Sequence, residues 1–576
     1  MNPLRLDFRN TNALWGSVVA ETLVRCGVKQ TVISPGSRST PLTLAFAAHP
    51  QLEAIPVLDE RSAAFFALGL AKRSRRPVVL LCTSGTAGAN YYPAVIEAQE
   101  SGVPFLVITA DRPPEMRACA SGQTIDQQKL YGSHVNHYHE LSVPEAKLPL
   151  LAYLRQTVAH AVERTLHPGP GPVHLNAPFR DPLPPIEDGS AQGLKSEITD
   201  EFFSHLIELT SVVSHATLWQ RPVSTRGLII AGADVPVDPE KYAANVWTLA
   251  NSLGWPALAD GISVLRHHAP PDAPIVTTYD TILRNEKLAR DLTPRAVLCL
   301  GNWPTSKVLR QWLERSGAEI VLVSPRADNR DALHGRTRHL RAGAESLAVN
   351  KNGATDASWL AAWRRADAAA RNVLRSAVRA GEGIFEGDVT LALAQALPST
   401  TPVYVASSMP VRDVEHFWPA NHDRHPLFFN RGANGIDGTL STALGVAHGG
   451  APAVLLTGDL ALLHDTNGLL LHAKLRGSLT VVLINNRGGG IFEHLPVAQF
   501  EPPFEDFFVT PQAVDFHKLC AAHGVEHVAV RGLAQLTALL ADLPTQGIRV
   551  LEVSTDRKRD AALRRKLFAE AAKAAS

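Results

Sequence analysis

An aspartate, two asparagines and a run of glycines near the C-terminal end have the spacing of a chemical site. Gly458-Asp459-Leu460 closes the apolar run 453-AVLLT-457, Asn485-Asn486 closes the apolar run 479-LTVVLI-484, and 24 residues lie between the two motifs. Arg487 and three glycines, beginning at Gly488, follow directly. Each run reads as a buried parallel strand, and open α/β sheets collect their ligands at the carboxyl ends of strands. There the Asp459 carboxylate, the Asn486 side-chain carbonyl and the Gly488 backbone carbonyl would present three hard oxygens. That donor set suits Mg²⁺, which keeps positions open for phosphates, and Mn²⁺ accepts the same ligands. The glycines free backbone N–H groups to face a diphosphate. An aspartate at a strand–helix junction is by itself most often a helix N-cap. The Asn-Asn pair and the glycines after the next strand favour a metal–diphosphate site.

The elements that would hold such a site alternate along the chain. A helical pattern over 11–27 leads to strand 31-TVIS-34 and then Ser37-Arg38-Ser39-Thr40-Pro41. Ser39 or Thr40 is expected to cap the next helix, with Pro41 in its first turn. Spacing alone makes this stretch equally a plain turn or an anion pocket around Ser37 and Arg38. Strand 54-AIPVL-58 ends in Asp59-Glu60-Arg61 and an alanine-rich helix; a first-turn glutamate such as Glu60 is ordinarily there for the helix dipole. Strands 77-PVVLLCTSG-85 and 104-PFLVIT-109 follow, the latter running into Asp111-Arg112. This βαβα order predicts a doubly wound parallel sheet.

A second unit begins near residue 198, with strands at 227–232, 296–301 and 319–324. Gly301 to Lys307 follows one of them and is placed to meet an anion. No complete G-x-G-x-x-G follows a strand here, so NAD or FAD is not expected. Residues 354–398 read as helical. Strand 402-PVYVAS-407 leads to Ser408 and Arg412, and 428-FFNRG-432 carries Arg431. Both arginines follow strand ends, which favours anion binding over simple solvation. His134, His137 and His139 lack helix-spaced or cysteine partners, so packing or surface positions are expected for them rather than a metal. The tail 556–576 reads as a solvated basic helix.

Formal net charge is +1 over 576 residues, which gives no global field for nucleic acid or an acidic membrane. No apolar run of about 18 residues or more exists, so neither a membrane nor a nucleic-acid partner is expected. Five cysteines without a C-x-x-C, and an N-terminus without an apolar signal region, fit a reduced cytoplasmic setting.

Gly458-Asp459-Leu460 with Asn485-Asn486 resembles the signature of the thiamine-diphosphate enzymes, with Leu460 where the generic pattern has a third glycine. VLDERSAAFFALGLAK, VVLLCTSGTAGANYYPAVIEA and PFLVITADRP resemble the family's pyrimidine-binding domain, and SPGSRSTPLTLA, ADRPPE and GQTIDQ resemble its menaquinone-biosynthesis branch. The resemblance runs in patches from about residue 14 to residue 500. It implies three doubly wound parallel-sheet α/β domains: a pyrimidine-binding domain at 1–185, a central domain at 198–350 and a diphosphate-binding domain at 380–576. It implies thiamine diphosphate and Mg²⁺ or Mn²⁺ as cofactors. Glu60 would share a proton with the aminopyrimidine, in a desolvated pocket that raises its pKa. Gly458, Asp459, Asn486 and Gly488 would hold the diphosphate and metal, with Ile491 and Phe492 as an apolar wall. The implied substrates are 2-oxoglutarate and isochorismate, both dicarboxylates. Arg38, Arg112, Lys307, Arg412 and Arg431 match the family's anion-binding positions, with Ser37, Gln123 and Ser408 as hydrogen-bond partners, whereas Val308 replaces a basic residue. A homodimer or homotetramer with sites between subunits is implied. The alternative within the family is an acetolactate-synthase-like enzyme acting on pyruvate.

Overall fold

The computed structural model describes residues 4–208, 217–219, 224–349, 354–377 and 383–576. Three six-stranded sheets, every pairing parallel, organise the chain. Their strands are short apolar runs, flanked by helices in an α/β alternation. The chain groups into two compact units: Met1–Val212 with Asn430–His448 and Asp465–Leu475, and Val213–Phe429 with Gly449–His464 and Arg476–Ser576.

In the first unit the sheet runs Glu53–Pro56, Gln30–Ser34, Val78–Cys82, Phe105–Asp111, Pro172–Pro178, His137–Glu140. Val78–Cys82 and Phe105–Asp111 are buried at every position, as expected for central strands covered on both faces. The helix Thr11–Arg25 starts where the Asn10 side chain accepts the Ala13 N–H, and it buries Leu14, Trp15, Val18 and Leu23. The helix Glu60–Ser74 is capped by Asp59, which accepts the Ser62 N–H. It packs backbone to backbone on the helix Thr439–Ala447: a Cβ on Gly69 would overlap the Thr442 carbonyl, and one on Gly445 the Phe66 carbonyl.

The second unit holds two of the sheets. One runs Ile275–Val276, Ala257–Ala259, Gly227–Ala231, Ala296–Leu300, Glu319–Val323, Arg336–Leu340. The other runs Leu427–Phe428, Val403–Val405, Ala453–Gly458, Ser478–Asn485, Gly547–Ser554, Glu526–Ala529. A separate two-stranded pair joins Leu347–Val349 to Thr217–Trp219.

Three expectations need correction. The helix Thr40–Ala48 does carry a proline in its first turn, but neither Ser39 nor Thr40 caps it. The Ser39 hydroxyl donates to the Gly36 carbonyl and the Thr40 hydroxyl to the Ser37 carbonyl, which closes a 3₁₀ turn over Ser37–Ser39 instead. The strand expected over 54–58 lies at Glu53–Pro56. The C-terminal helix, Arg557–Ala574, is not a solvated appendage: Arg564, Leu567, Phe568 and Ala571 are buried, the last three in one cluster with Trp359, Trp363 and Phe385. Its buried positions recur three and four residues apart beneath a surface of lysines and arginines.

Candidate active site

The strands Ala453–Gly458 and Ser478–Asn485 pair in register, Gly458 opposite Ile484, so Asp459 and Asn486 emerge side by side at the carboxyl edge. Asp459 is 5% exposed. Its Oδ1 accepts the Leu460 N–H at 2.9 Å and its Oδ2 the Gly488 N–H at 2.8 Å. Burial raises its pKa to about 6 against the pull of these N–H groups, and a bound cation would favour the ionised form. The two asparagines part company. Asn485 donates to Glu552 at 2.6 Å, whereas Asn486 turns inward and its buried Oδ1 has no hydrogen-bond partner among the described residues.

Gly488 has a φ of +130°, and a Cβ there would overlap the Val509 carbonyl, so the turn requires glycine. The Gly488 carbonyl accepts the Gly490 N–H at 2.9 Å and retains a second lone pair. A Cβ on Gly490 would lie 2.6 Å from the Asn486 Nδ2. A Cβ on Gly458 would meet nothing within 4 Å. No cluster of three or more His, Cys, Asp or Glu suited to a metal occurs among the described residues, so a cation here draws on amide and backbone oxygens. An orphaned amide oxygen beside a buried carboxylate fits a hard cation, because a buried acceptor without a partner costs about 1–3 kcal/mol. Ile491 and Phe492 lie on the 3₁₀ turn Gly490–His494, both half-buried, with Phe492 edge-on to Phe508 at 5.7 Å.

In the first unit, Arg38, Arg112 and Gln123 come together. Arg38 is 6% exposed, donates to the Phe179 carbonyl at 2.9 Å, and has a buried Nε without a partner among the described residues. Burial, and then the neighbouring Arg112, hold its pKa below the ordinary arginine value. Arg112 donates to Ser84 Oγ at 2.8 Å and the Gly122 carbonyl at 2.9 Å, while Gln123, at φ 55°, donates to the Ser84 carbonyl at 3.0 Å. Ser84 therefore joins two of the expected residues and went unnoticed in the sequence; its place at the end of a strand was the available signal. Ser37 is exposed on the adjacent turn. Glu60 opens its helix half-buried. Arg431 is also half-buried. Its loop is pinned by Glu97, which accepts the Gly432 and Ala433 N–H groups at 3.0 and 2.7 Å and lies 3.5 Å from buried Lys72.

In the second unit, Ser408 and Arg412 meet: Ser408 takes the rare φ of 72°, and its carbonyl accepts the Arg412 guanidinium. Lys307 is exposed at the start of the helix Lys307–Ser316. Its approach is braced by Asp260, which accepts the Thr305 N–H at 2.6 Å, and by Ser306, which donates to Asp280 at 2.6 Å and caps the helix. Val308 packs against the apolar cluster beneath. His137 and His139 lie on the edge strand His137–Glu140, with His139 2.7 Å from the Tyr153 hydroxyl.

Family models match along most of this architecture. Residues 15–130 match the thiamine pyrophosphate enzyme N-terminal TPP binding domain, 197–405 the middle domain of thiamine pyrophosphate enzymes, and 409–553 the C-terminal TPP binding domain. The class is thus that of the thiamine pyrophosphate enzymes. Relatives named 2-succinyl-5-enolpyruvyl-6-hydroxy-3-cyclohexene-1-carboxylate synthase include those of Trichodesmium erythraeum, 50% identical over 97% of this chain and 98% of its own length, and of Synechococcus sp., 52% identical over 98% and 97%. That of Acaryochloris marina is 48% identical over 99% of this chain and 100% of its own. The chain belongs to this synthase family.

Proposed function

We propose that the chain decarboxylates 2-oxoglutarate and joins the remaining four-carbon unit to isochorismate, forming 2-succinyl-5-enolpyruvyl-6-hydroxy-3-cyclohexene-1-carboxylate and CO₂ in menaquinone biosynthesis. The observation that carries the reading is the oxygen cradle: buried Asp459, the orphaned Asn486 Oδ1 and the Gly488 turn at the ends of adjacent strands. When bound, thiamine diphosphate supplies the carbon nucleophile and the electron sink.

The chain's own residues do the rest. Asp459, Asn486 and the Gly488 carbonyl would hold Mg²⁺ or Mn²⁺ and so fix the diphosphate, with Gly458 beside them. Glu60 holds a proton at the aminopyrimidine ring nitrogen and is the catalytic residue. Ile491 and Phe492 keep water from the reacting centre. Arg38 and Arg112, with Ser37 and Gln123, orient carboxylates, since guanidinium forks match them in two-point contacts. Lys307, Ser408, Arg412 and Arg431 complete the anion set. The buried, incompletely paired guanidinium of Arg38 supports an anionic substrate. The working enzyme is a cytoplasmic homodimer or homotetramer with sites between subunits.

The test offers purified enzyme, thiamine diphosphate and Mg²⁺ either 2-oxoglutarate or pyruvate, each with isochorismate. CO₂ is expected from 2-oxoglutarate; release from pyruvate alone would overturn the proposal.

A further inference from the structure

The Asn486 amide can face the cradle with either end. Its oxygen would bind a cation and its nitrogen would repel one, so the orientation decides whether the site works. Behind the amide, within the same compact unit, lies Glu386, 3% exposed. Its Oε1 accepts the Asn486 Nδ2 at 2.7 Å and its Oε2 accepts Arg564 Nη2 at 2.9 Å. An ionised carboxylate only accepts hydrogen bonds, so it selects the NH₂ end of the amide and turns the oxygen to the cradle. That is the oxygen left without a partner among the described residues.

Glu386 is itself fixed from two sides, by Arg564 and by Asp560. Arg564, 3% exposed, also pairs with fully buried Asp413. The Glu386 backbone N–H donates to Asp560 Oδ2 at 3.1 Å, and Gly490 leaves the amide the room a side chain would take.

We infer that Glu386, held by Arg564, is a positioning residue that presents the Asn486 oxygen to the divalent cation; the inference rests on the cation reading of Asp459, Asn486 and Gly488. Partners behind metal ligands commonly tune metal affinity by about 10- to 100-fold. Glutamine at this position carries both an oxygen and an NH₂, and no longer dictates which way Asn486 faces.

The experiment titrates Mn²⁺ into the full chain with saturating thiamine diphosphate, reading free Mn²⁺ by its electron paramagnetic resonance signal and folding by thermal unfolding. Glu386→Gln is expected to weaken Mn²⁺ binding by about 10- to 100-fold while the protein stays folded. Pairing Glu386→Gln with Asn486→Asp is expected to recover most of that affinity, because the introduced amide can donate to one oxygen of the new carboxylate and leave the other to the metal. Should Glu386→Gln fail to fold, Glu386→Asp serves: it keeps the charge for Arg564 but withdraws it from Asn486, with the same loss expected. Wild-type Mn²⁺ affinity in a folded Glu386 variant would overturn the positioning role while leaving the cradle intact. Absence of Mn²⁺ binding by the wild-type protein would overturn the cradle itself.

Discussion

The Asp459 carboxylate accepts the Gly488 N–H at 2.8 Å, tying the end of one strand to the glycine turn that follows its neighbour. The carboxylate proposed as a cation ligand therefore also holds the turn that carries the third proposed oxygen. Asp459→Ala removes both contributions. Divalent-cation-dependent binding of thiamine diphosphate should weaken by more than about 100-fold, measured by calorimetry with and without Mg²⁺. Wild-type affinity in the variant would remove Asp459 from the metal site.

Glu60 begins a helix that Asp59 already caps, so its side chain is not needed to start that helix. Glu60→Gln should leave cofactor binding intact and lower kcat by about 10²- to 10⁴-fold, the usual range for losing a positioned proton-transfer group. Calorimetry and steady-state rates on one preparation separate the two, and an unchanged kcat would refute the assignment.

Gly69 and Gly445 face each other where two helices meet without side chains between them. Gly69→Ala or Gly445→Ala should cost about 3 kcal/mol through overpacking against backbone that cannot yield. Gly193→Ala, where a Cβ meets nothing within 4 Å, should change stability by less than about 0.5 kcal/mol. Urea unfolding of the three variants makes the comparison.

His174 is fully buried, and burial drives its pKa down to about 3. The Thr109 hydroxyl spends its proton on Asn176 at 2.8 Å. The His174 Nε2, 2.8 Å from Thr109 Oγ1, must therefore donate, and buried Nδ1 has no partner among the described residues. Between the folded and the unfolded pKa the unfolded chain binds the extra proton, so stability is complete above the unfolded value and falls as pH drops. From about pH 6.5 to 4.5 the wild type should lose roughly 2–3 kcal/mol relative to His174→Gln, read from urea midpoints at each pH. A constant difference would show that His174 protonates without penalty.

The central strands could be read directly because runs such as 453-AVLLT-457 and 479-LTVVLI-484 are continuously apolar, as burial on both faces demands. Edge strands such as Ile275–Val276 and His137–Glu140 could not: they are short or polar, and only pairing with a neighbour makes them strands. That Asp459, Asn486 and Gly488 lie together was legible because they directly follow two strands that pair with each other. Glu386 and Arg564 were not, since 178 positions separate them and only the folded chain brings them together. Arg564 was also hidden in a run of basic residues that suggests a solvated face, although Leu567, Phe568 and Ala571 carry the buried periodicity. Ser84 and Glu97 escaped notice for a related reason: their partners are the very loops whose contents drew attention.

The helix that fills the groove along Gly69 is encoded at Thr439–Ala447, far downstream of the compact unit it completes. A nascent polypeptide emerging from the ribosome cannot finish that unit until residue 430 and beyond have been translated. Expression of the opening 212 residues as an isolated fragment would leave an apolar, glycine-notched surface uncovered, so this enzyme does not lend itself to being divided at the end of its first sheet.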